Sequence, residues 1–295
     1  MANERSVSFG AHAQSDLDAD IPWSEFQVDV WGPYDCGAPE RYVWGAICCA
    51  SGESWIQPIA ARSEAVLAFE AFCVWFDSNK RSIERALRLP HGTAELRVIK
   101  LDRASEHTTL NGWNESEHDA AVRRRGIRPV FNTTDLAPSG TSRIEALWDY
   151  LKTKTRAAFA TIPLAHDTWF SVMVLVNRVR NMSLTSSNRI GDGAPPWQTL
   201  GRKYDLASVP IPGALATIVR TKKAKTVAGT TVGIVIGNSD GHGVVVRTWE
   251  GDEATMNCRV STDLAPVLAM VATARADPSN VTTLMRTALN IDCVY

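Results

Sequence analysis

Phe26-Gln27-Val28-Asp29-Val30-Trp31-Gly32-Pro33 is an alternating apolar run closed by an aspartate and stopped by a Trp-Gly-Pro turn. Alternation over this length predicts a half-buried strand, and the Gly-Pro pair ends it. A second such run, Leu96-Arg97-Val98-Ile99-Lys100-Leu101-Asp102, also ends on an aspartate, and Glu106 follows four residues on. A third acid, Glu145, opens the helix-like stretch Glu145-Ala-Leu-Trp-Asp-Tyr-Leu-Lys-Thr-Lys. Two carboxylates at strand ends and one on a helix can converge into a single oxygen-rich pocket for Mg²⁺.

Outward from these runs the chain reads as follows. Residues 1–22 lack periodicity and read as a flexible lead-in. Glu25–Val30, Tyr42–Cys49 and Ser54–Pro58 are short strands punctuated by Gly32-Pro33, Gly37, Pro39 and Ser51-Gly52, the pattern of an antiparallel meander. Residues 62–89 have helical spacing, with Ala65, Phe69, Phe72, Trp75 and Phe76 on one side, and Pro90-His91-Gly92 ends it. Leu96–Leu101 is a strand, 114–126 a helix and Ile127–Phe131 a strand. Asn132–Thr141, rich in Asn, Thr, Pro, Ser and Gly, reads as a mobile loop. Ser142 with Glu145 three residues later is a capping-box arrangement, starting a helix to about Thr161. A further helix runs from Pro163 to about Met182, with Trp169, Val172, Met173 and Val176 on one face.

The order strand-strand-strand-helix-strand-helix-strand-helix predicts an α/β layered domain with a mixed sheet over residues 23–182. Residues 183–207 read as a linker. Ala214–Arg220, Thr231–Ile236, Gly243–Trp249 and Met256–Val260 predict a small β-barrel or curled sheet over 208–263. Residues 264–295 hold one or two weak helices.

Composition bounds the partners. With 295 residues, 31 basic against 32 acidic, a net charge near −1 and 45% hydrophobic residues, the chain has ordinary globular composition and no basic surplus. Its bases do cluster, at Arg123-Arg124-Arg125, at Lys152, Lys154 and Arg156, at Arg178, Arg180 and Arg189, and at Lys222, Lys223 and Lys225. Each cluster is either a solvated face or a phosphate-binding one. The six cysteines (Cys36, Cys48, Cys49, Cys73, Cys258, Cys293) form no CxxC pair and no zinc spacing with histidine. No apolar run approaches membrane-spanning length and residues 1–20 are polar and acidic, so an intracellular protein, cytoplasmic or nuclear, is expected.

The chemistry that three such acids suit is phosphoryl transfer at a phosphodiester. Two Mg²⁺ ions about 3.5–4 Å apart activate a hydroxyl and cover charge on the non-bridging oxygens. Asp29 would bridge both ions, Asp102 hold one and Glu145 the other. Each acid also has a plain structural reading: Asp29 as a turn-forming residue, Asp102 as a strand end beside a solvated Glu106, Glu145 as part of its own capping box. His107 and His118 read as surface or loop residues rather than ligands. Trp113, beside Asn111-Gly112, is either core or an exposed ring that stacks on a base.

Asp29-Val-Trp-Gly-Pro33 resembles the first-aspartate motif of retroelement integrases, especially the copia type. Leu101-Asp102-Arg-Ala-Ser-Glu106 is similar to their second-aspartate motif, and Pro138-Ser-Gly-Thr-Ser-Arg-Ile-Glu145 stands where that family has its loop and final glutamate. Trp169 to Asn181 resembles the family's Trp-led helix, and Ala194-Pro-Pro-Trp-Gln-Thr-Leu200 its Thr-Pro-Tyr-Glu segment. Val232–Gly237 and Val244–Trp249 are similar to the small β-domain that follows copia-type cores.

The resemblance spans roughly residues 23–263. It implies a ribonuclease-H-like fold, Mg²⁺ or Mn²⁺ held by Asp29, Asp102 and Glu145, and 3′-end processing and strand transfer of DNA. It also implies DNA contacts from Lys152, Lys154 and Arg156 and a homo-oligomer. Thr141-Ser142, Ala146 and Trp148 replace the family's Asn-Gly, basic residue and Asn. With the near-neutral charge and no His-His-Cys-Cys zinc module read ahead of the core, these replacements keep a second reading open. In it, a decayed or domesticated integrase fold binds nucleic acid or a protein without chemistry.

Overall fold

The computed structural model describes residues 22–101, 117–131, 142–162, 164–191, 193–201, 209–219, 230–239, 243–248, 251–255, 258–261 and 264–276. Asp102, Glu106, His107, Trp113 and the expected loop before Ser142 lie outside them. The chain divides into two compact units. One holds the described residues within Met1–Tyr34, Glu40–Asp149 and Val179–Tyr204, the other those within Asp35–Pro39, Tyr150–Arg178 and Asp205–Tyr295.

The first unit is a mixed five-stranded sheet with helices. Its strands are β1 (Glu25–Trp31), β2 (Tyr42–Cys48), β3 (Ser54–Ile59), β4 (Val98–Leu101) and β5 (Arg128–Phe131), in the order β3-β2-β1-β4-β5. β1 pairs antiparallel with β2 and parallel with β4, and β4 pairs parallel with β5. The period-2 pattern of β1 decides the layering. Phe26, Val28 and Val30 are buried in the core with α1 (Ala65–Ala86), where Phe26 meets Phe72 at 5.1 Å and Phe76 at 6.1 Å between ring centroids. Trp44, opposite Val30 on β2, joins them 5.5 Å from Phe72. Trp23 packs 4.9 Å from Phe76 and 5.1 Å from Trp75. Such aromatic pairs add to the stabilisation from burial alone.

The helix expected over 62–89 is α-helical only from Ala65 to Ala86, after a 3₁₀ turn at Arg62–Glu64. Glu64 accepts the Ala60 N–H and so holds the entry turn. At the other end Glu84 accepts the N–H groups of Gly92 and Ala94, and thereby fixes the turn that leads toward β4. α2 (Glu117–Arg124) buries Ala121, Val122 and His118. His118, expected at the surface or in a loop, is 1% exposed and lies against the rings of Phe69 (5.3 Å) and Trp44 (6.4 Å). The amphipathic spacing of α2 turns it inward, and the helical period of an eight-residue element is a weak signal.

α3 (Ser142–Thr161) matches its expected bounds. α4 (Trp169–Asn181) begins six residues after the expected Pro163, behind a 3₁₀ turn at His166–Thr168. Arg180 and Asn181, at the end of α4, belong to the first unit and pin its β2–β3 hairpin. Asn181 Oδ1 accepts the Ser54 N–H (3.0 Å), Asn181 Nδ2 donates to the Ser54 carbonyl (2.7 Å), and Arg180 Nη1 donates to the Gly52 carbonyl (2.7 Å). Buried polar backbone requires such partners. In the expected linker a short helix, α5 (Pro196–Thr199), is present.

The second unit is an antiparallel five-stranded sheet, β10-β6-β7-β8-β9, made of β6 (Leu215–Val219), β7 (Thr230–Ser239), β8 (Gly243–Thr248), β9 (Gly251–Thr255) and β10 (Cys258–Val260), followed by α6 (Ala265–Ala276). Its core is Ala214, Ala216, Ile218, Val235 and Val246. β9 was not legible in the sequence, because Gly-Asp-Glu-Ala-Thr has poor strand propensity. Its pairing with β8 overrides that: Arg247 on β8 holds Asp252 on β9 by two hydrogen bonds and Asp167 by two more. The two carboxylates raise the Arg247 pKa, with the Asp252 hydrogen bond the largest cause.

Among the described residues no helix is long and apolar enough to cross a membrane. Of the described cysteines Cys36, Cys48, Cys49 and Cys73 are buried and Cys258 is half-buried. Burial pushes the Cys73 thiol up to about 12 and raises Cys48 and, strongly, Cys49. Burial raises the Cys258 thiol as well, but Cys258 is only half-buried, so native-state thiol labelling at pH 7.5 is expected to modify it before these four, which need local unfolding first. Mass mapping of the adducts checks the order.

Candidate active site

On β1 the residues between the core-facing ones, Glu25, Gln27 and Asp29, lie on the opposite face from α1, and each has a specific partner. Glu25 Oε1 lies 2.6 Å from Lys100 Nζ, an ion pair rather than a well-aligned hydrogen bond, with the Glu25 side chain fully buried. Gln27 Oε1 accepts the N–H groups of Arg143 and Ile144, both at 3.1 Å. Asp29 Oδ1 accepts the Val30 N–H at 2.8 Å, and Asp29 Oδ2 accepts the indole N–H of Trp148 at 2.9 Å. Two successive side chains on one strand face thus hold the first two turns of α3 against β1.

The cap of α3 therefore comes from a remote strand. The first N–H groups of any helix lack intrahelical partners, and Gln27 supplies them across 116 residues of sequence. The Ser142 hydroxyl, expected to cap the helix, lies outside the described side chains. Arg143, beside the cap, donates to the Ser187 carbonyl at 2.9 Å. Its pKa is lowered, first by burial and then by the positive charge of Arg189.

Trp148 is 3% exposed and sits over Gly45, the residue opposite Asp29 on β2. A Cβ at position 45 would lie 2.8 Å from Trp148 Cζ2, closer than carbon atoms approach. A glycine inside a strand often marks such a close approach. Glu145 is exposed on α3 one turn before Trp148. Glu145 therefore sits on α3 between the N–H groups that Gln27 caps and the Trp148 whose indole reaches Asp29.

Asp102 lies outside the described residues. Leu101, which precedes it in the sequence, pairs with Val28, which precedes Asp29. Among the described residues, no three His, Cys, Asp or Glu side chains gather as a metal-holding group. The described acids of the expected triad are two, Asp29 and Glu145.

Of the expected DNA-contacting residues, Lys154 and Arg156 are exposed and Lys152 is half-buried. Helical geometry puts Lys152 and Arg156 on one side, one turn apart, and Lys154 on the other. Lys154 Nζ lies 5.9 Å from the centroid of the Tyr150 ring, a cation–π contact that draws it away from that line.

Gln27, Gly45 and Trp148 are the site residues that sequence reading missed. A polar residue two positions before Asp29 in an apolar strand and a glycine inside β2 were the available signals. No protein-family model matches the chain, and no curated protein is significantly similar to it.

Proposed function

We propose that the chain is an integrase-like polynucleotidyl transferase core with a ribonuclease-H-like sheet and a small barrel-like β-domain after it, acting on DNA ends with Asp29, Asp102 and Glu145 as its metal ligands. The observation that carries this reading is the docking of α3 on β1. Gln27 caps the first turn of α3, which carries Glu145, Trp148 in the next turn reaches Asp29, and β1 has as its parallel neighbour β4, which Asp102 follows in the sequence. The central position of β1 in the order β3-β2-β1-β4-β5 supports the fold assignment.

The donor chemistry fits Mg²⁺ or Mn²⁺. Carboxylate oxygens are the hard ligands these ions take. Two donors on Asp29, the Val30 N–H and the Trp148 indole N–H, are neutral, so neither cancels the carboxylate charge that an ion would meet. When bound, two such ions activate a water or a DNA 3′-hydroxyl and offset charge on the phosphodiester. The chain's own part is orientation. The Val30 and Trp148 N–H groups fix the plane of the Asp29 carboxylate, and Gln27 fixes where α3 starts. Lys152, Lys154 and Arg156 on α3 are the proposed phosphate contacts, with Lys152 and Arg156 sharing one side of the helix, and a homo-oligomer, as in the family the chain resembles, belongs to the same proposal.

A second reading is favoured by one contact. The indole on Asp29 Oδ2 stands where the resembled family has an asparagine, and a site so filled could serve a domesticated fold that binds DNA without cutting it. Labelled duplex DNA ends incubated with Mn²⁺ and wild-type protein or Asp102→Asn separate the two. The enzyme gives metal-dependent nicking or joining that falls about 10³-fold in the variant. DNA binding that weakens steeply with salt, with no product from either protein, establishes the binding module instead.

A further inference from the structure

We propose that Trp148 is a positioning residue for Asp29: by donating its indole N–H to Oδ2 it orients the carboxylate for a divalent ion and ties that orientation to the turn of α3 bearing Glu145. The inference rests on the metal-dependent reading above and goes beyond it, since no ligand set includes a tryptophan.

Three observations carry it. The donor–acceptor distance is 2.9 Å, and Oδ1 is held independently by the Val30 N–H, so the carboxylate plane is fixed from both ends. The ring that delivers the N–H has little freedom, because it is 3% exposed and lies on Gly45, whose missing side chain leaves the space it fills. Trp148 also follows Glu145 by three residues on one helix, so a shift of the indole moves the Glu145 turn with it. An outer partner that orients a metal-binding carboxylate typically changes metal affinity 10- to 100-fold. A smaller asparagine in the same place would leave the space over Gly45 unfilled.

Mn²⁺ alone is the probe, read by thermal melting of the full chain at increasing metal concentration. Wild-type protein, Trp148→Phe and Asp29→Asn are compared. Phenylalanine removes the N–H and keeps an aromatic ring at position 148, though it lacks the Cζ2 and Cη2 atoms that lie on Gly45. The expected result is a metal-free melting temperature within about 4 °C of wild type and a Mn²⁺ midpoint raised ~10-fold or more. Asp29→Asn should lose the Mn²⁺ response. Nicking by Trp148→Phe should be restored by raising Mn²⁺, as a positioning role requires and a folding defect would not allow.

A Mn²⁺ midpoint unchanged in Trp148→Phe while Asp29→Asn abolishes the response overturns the inference and leaves the functional reading standing. A lowered midpoint also overturns it, since the indole would then compete with the ion. No Mn²⁺ response in the wild-type protein removes the functional reading and this inference together. Should Trp148→Phe fail to fold, Gly45→Ala repeats the test. It keeps the N–H and displaces the ring, with the same ~10-fold rise expected.

Discussion

Asp29→Asn is expected to reduce the proposed metal-dependent DNA nicking and joining by at least ~10³-fold, about 4 kcal/mol of transition-state stabilisation. It is also expected to lower stability by about 1–2 kcal/mol. The two losses have different origins. In the proposed metal site, removing the negative charge takes away a hard anionic ligand, and a neutral amide oxygen does not replace it. The stability loss comes from counting donors. The carboxylate offers an acceptor to Val30 N–H on Oδ1 and to Trp148 N–H on Oδ2. Asparagine has one oxygen, so its NH₂ must face one of those two N–H groups. Trp148 is buried, so an N–H left facing another donor is not recovered by water.

A double-mutant cycle isolates this effect. Combining Asp29→Asn with Trp148→Phe removes the mismatched donor, and the pair should be about 0.5–1.5 kcal/mol more stable than the sum of the single changes. Urea melts of the four proteins measure the coupling. A coupling of zero would mean that the indole and the carboxylate do not interact in solution. Wild-type nicking rates in Asp29→Asn would remove Asp29 from the site altogether.

How far the site was legible follows from the kind of signal each part leaves. β1, β2, β3 and α3 have bounds within one residue of those expected, because strong period-2 or helical patterning is local and survives tertiary context. β4 and β5 are four-residue strands in the middle of the chain, and the parallel pairing of β4 with β1 and of β5 with β4 gives them their place in the sheet. β9 left no signal, since its strand conformation comes from pairing with β8 and the Arg247–Asp252 contact. The acids at 29 and 145 were visible as residue types at element ends. Their relation was not, because it depends on Gln27 capping a helix 116 positions away and on an indole filling the space at Gly45. Trp148 was visible in sequence only as a departure from a resembled motif. Its hydrogen bond to Asp29 gives that departure a physical meaning.

Lys100→Met is expected to be among the most destabilising single changes in the first unit, lowering stability by ~3–5 kcal/mol. The Glu25 side chain is fully buried between neighbouring strands, and the Lys100 side chain is 15% exposed. Lys100 is opposite Gln27 in the parallel register, so its ammonium reaches back along β1 to Glu25. Methionine retains most of the aliphatic stem, so the loss is not one of packing but of the charge facing a buried carboxylate. A domain of this kind has about 5–15 kcal/mol in hand, so the variant should unfold at a markedly lower urea concentration with an unchanged slope.

The same argument fixes the rescue. Glu25→Leu combined with Lys100→Met removes both charges, and buried pairs replaced by apolar residues are often neutral within about 1 kcal/mol. The double variant should therefore recover most of the stability that the single one loses. Because β4 continues directly into Asp102, this double variant also separates stability from function. Restored stability with wild-type nicking would make the ion pair a folding element only. Restored stability with reduced nicking would mean that the Glu25–Lys100 contact also supports the proposed activity. A Lys100→Met protein within about 1 kcal/mol of wild type would show that the carboxylate is solvated in solution and that the pair contributes little to the fold.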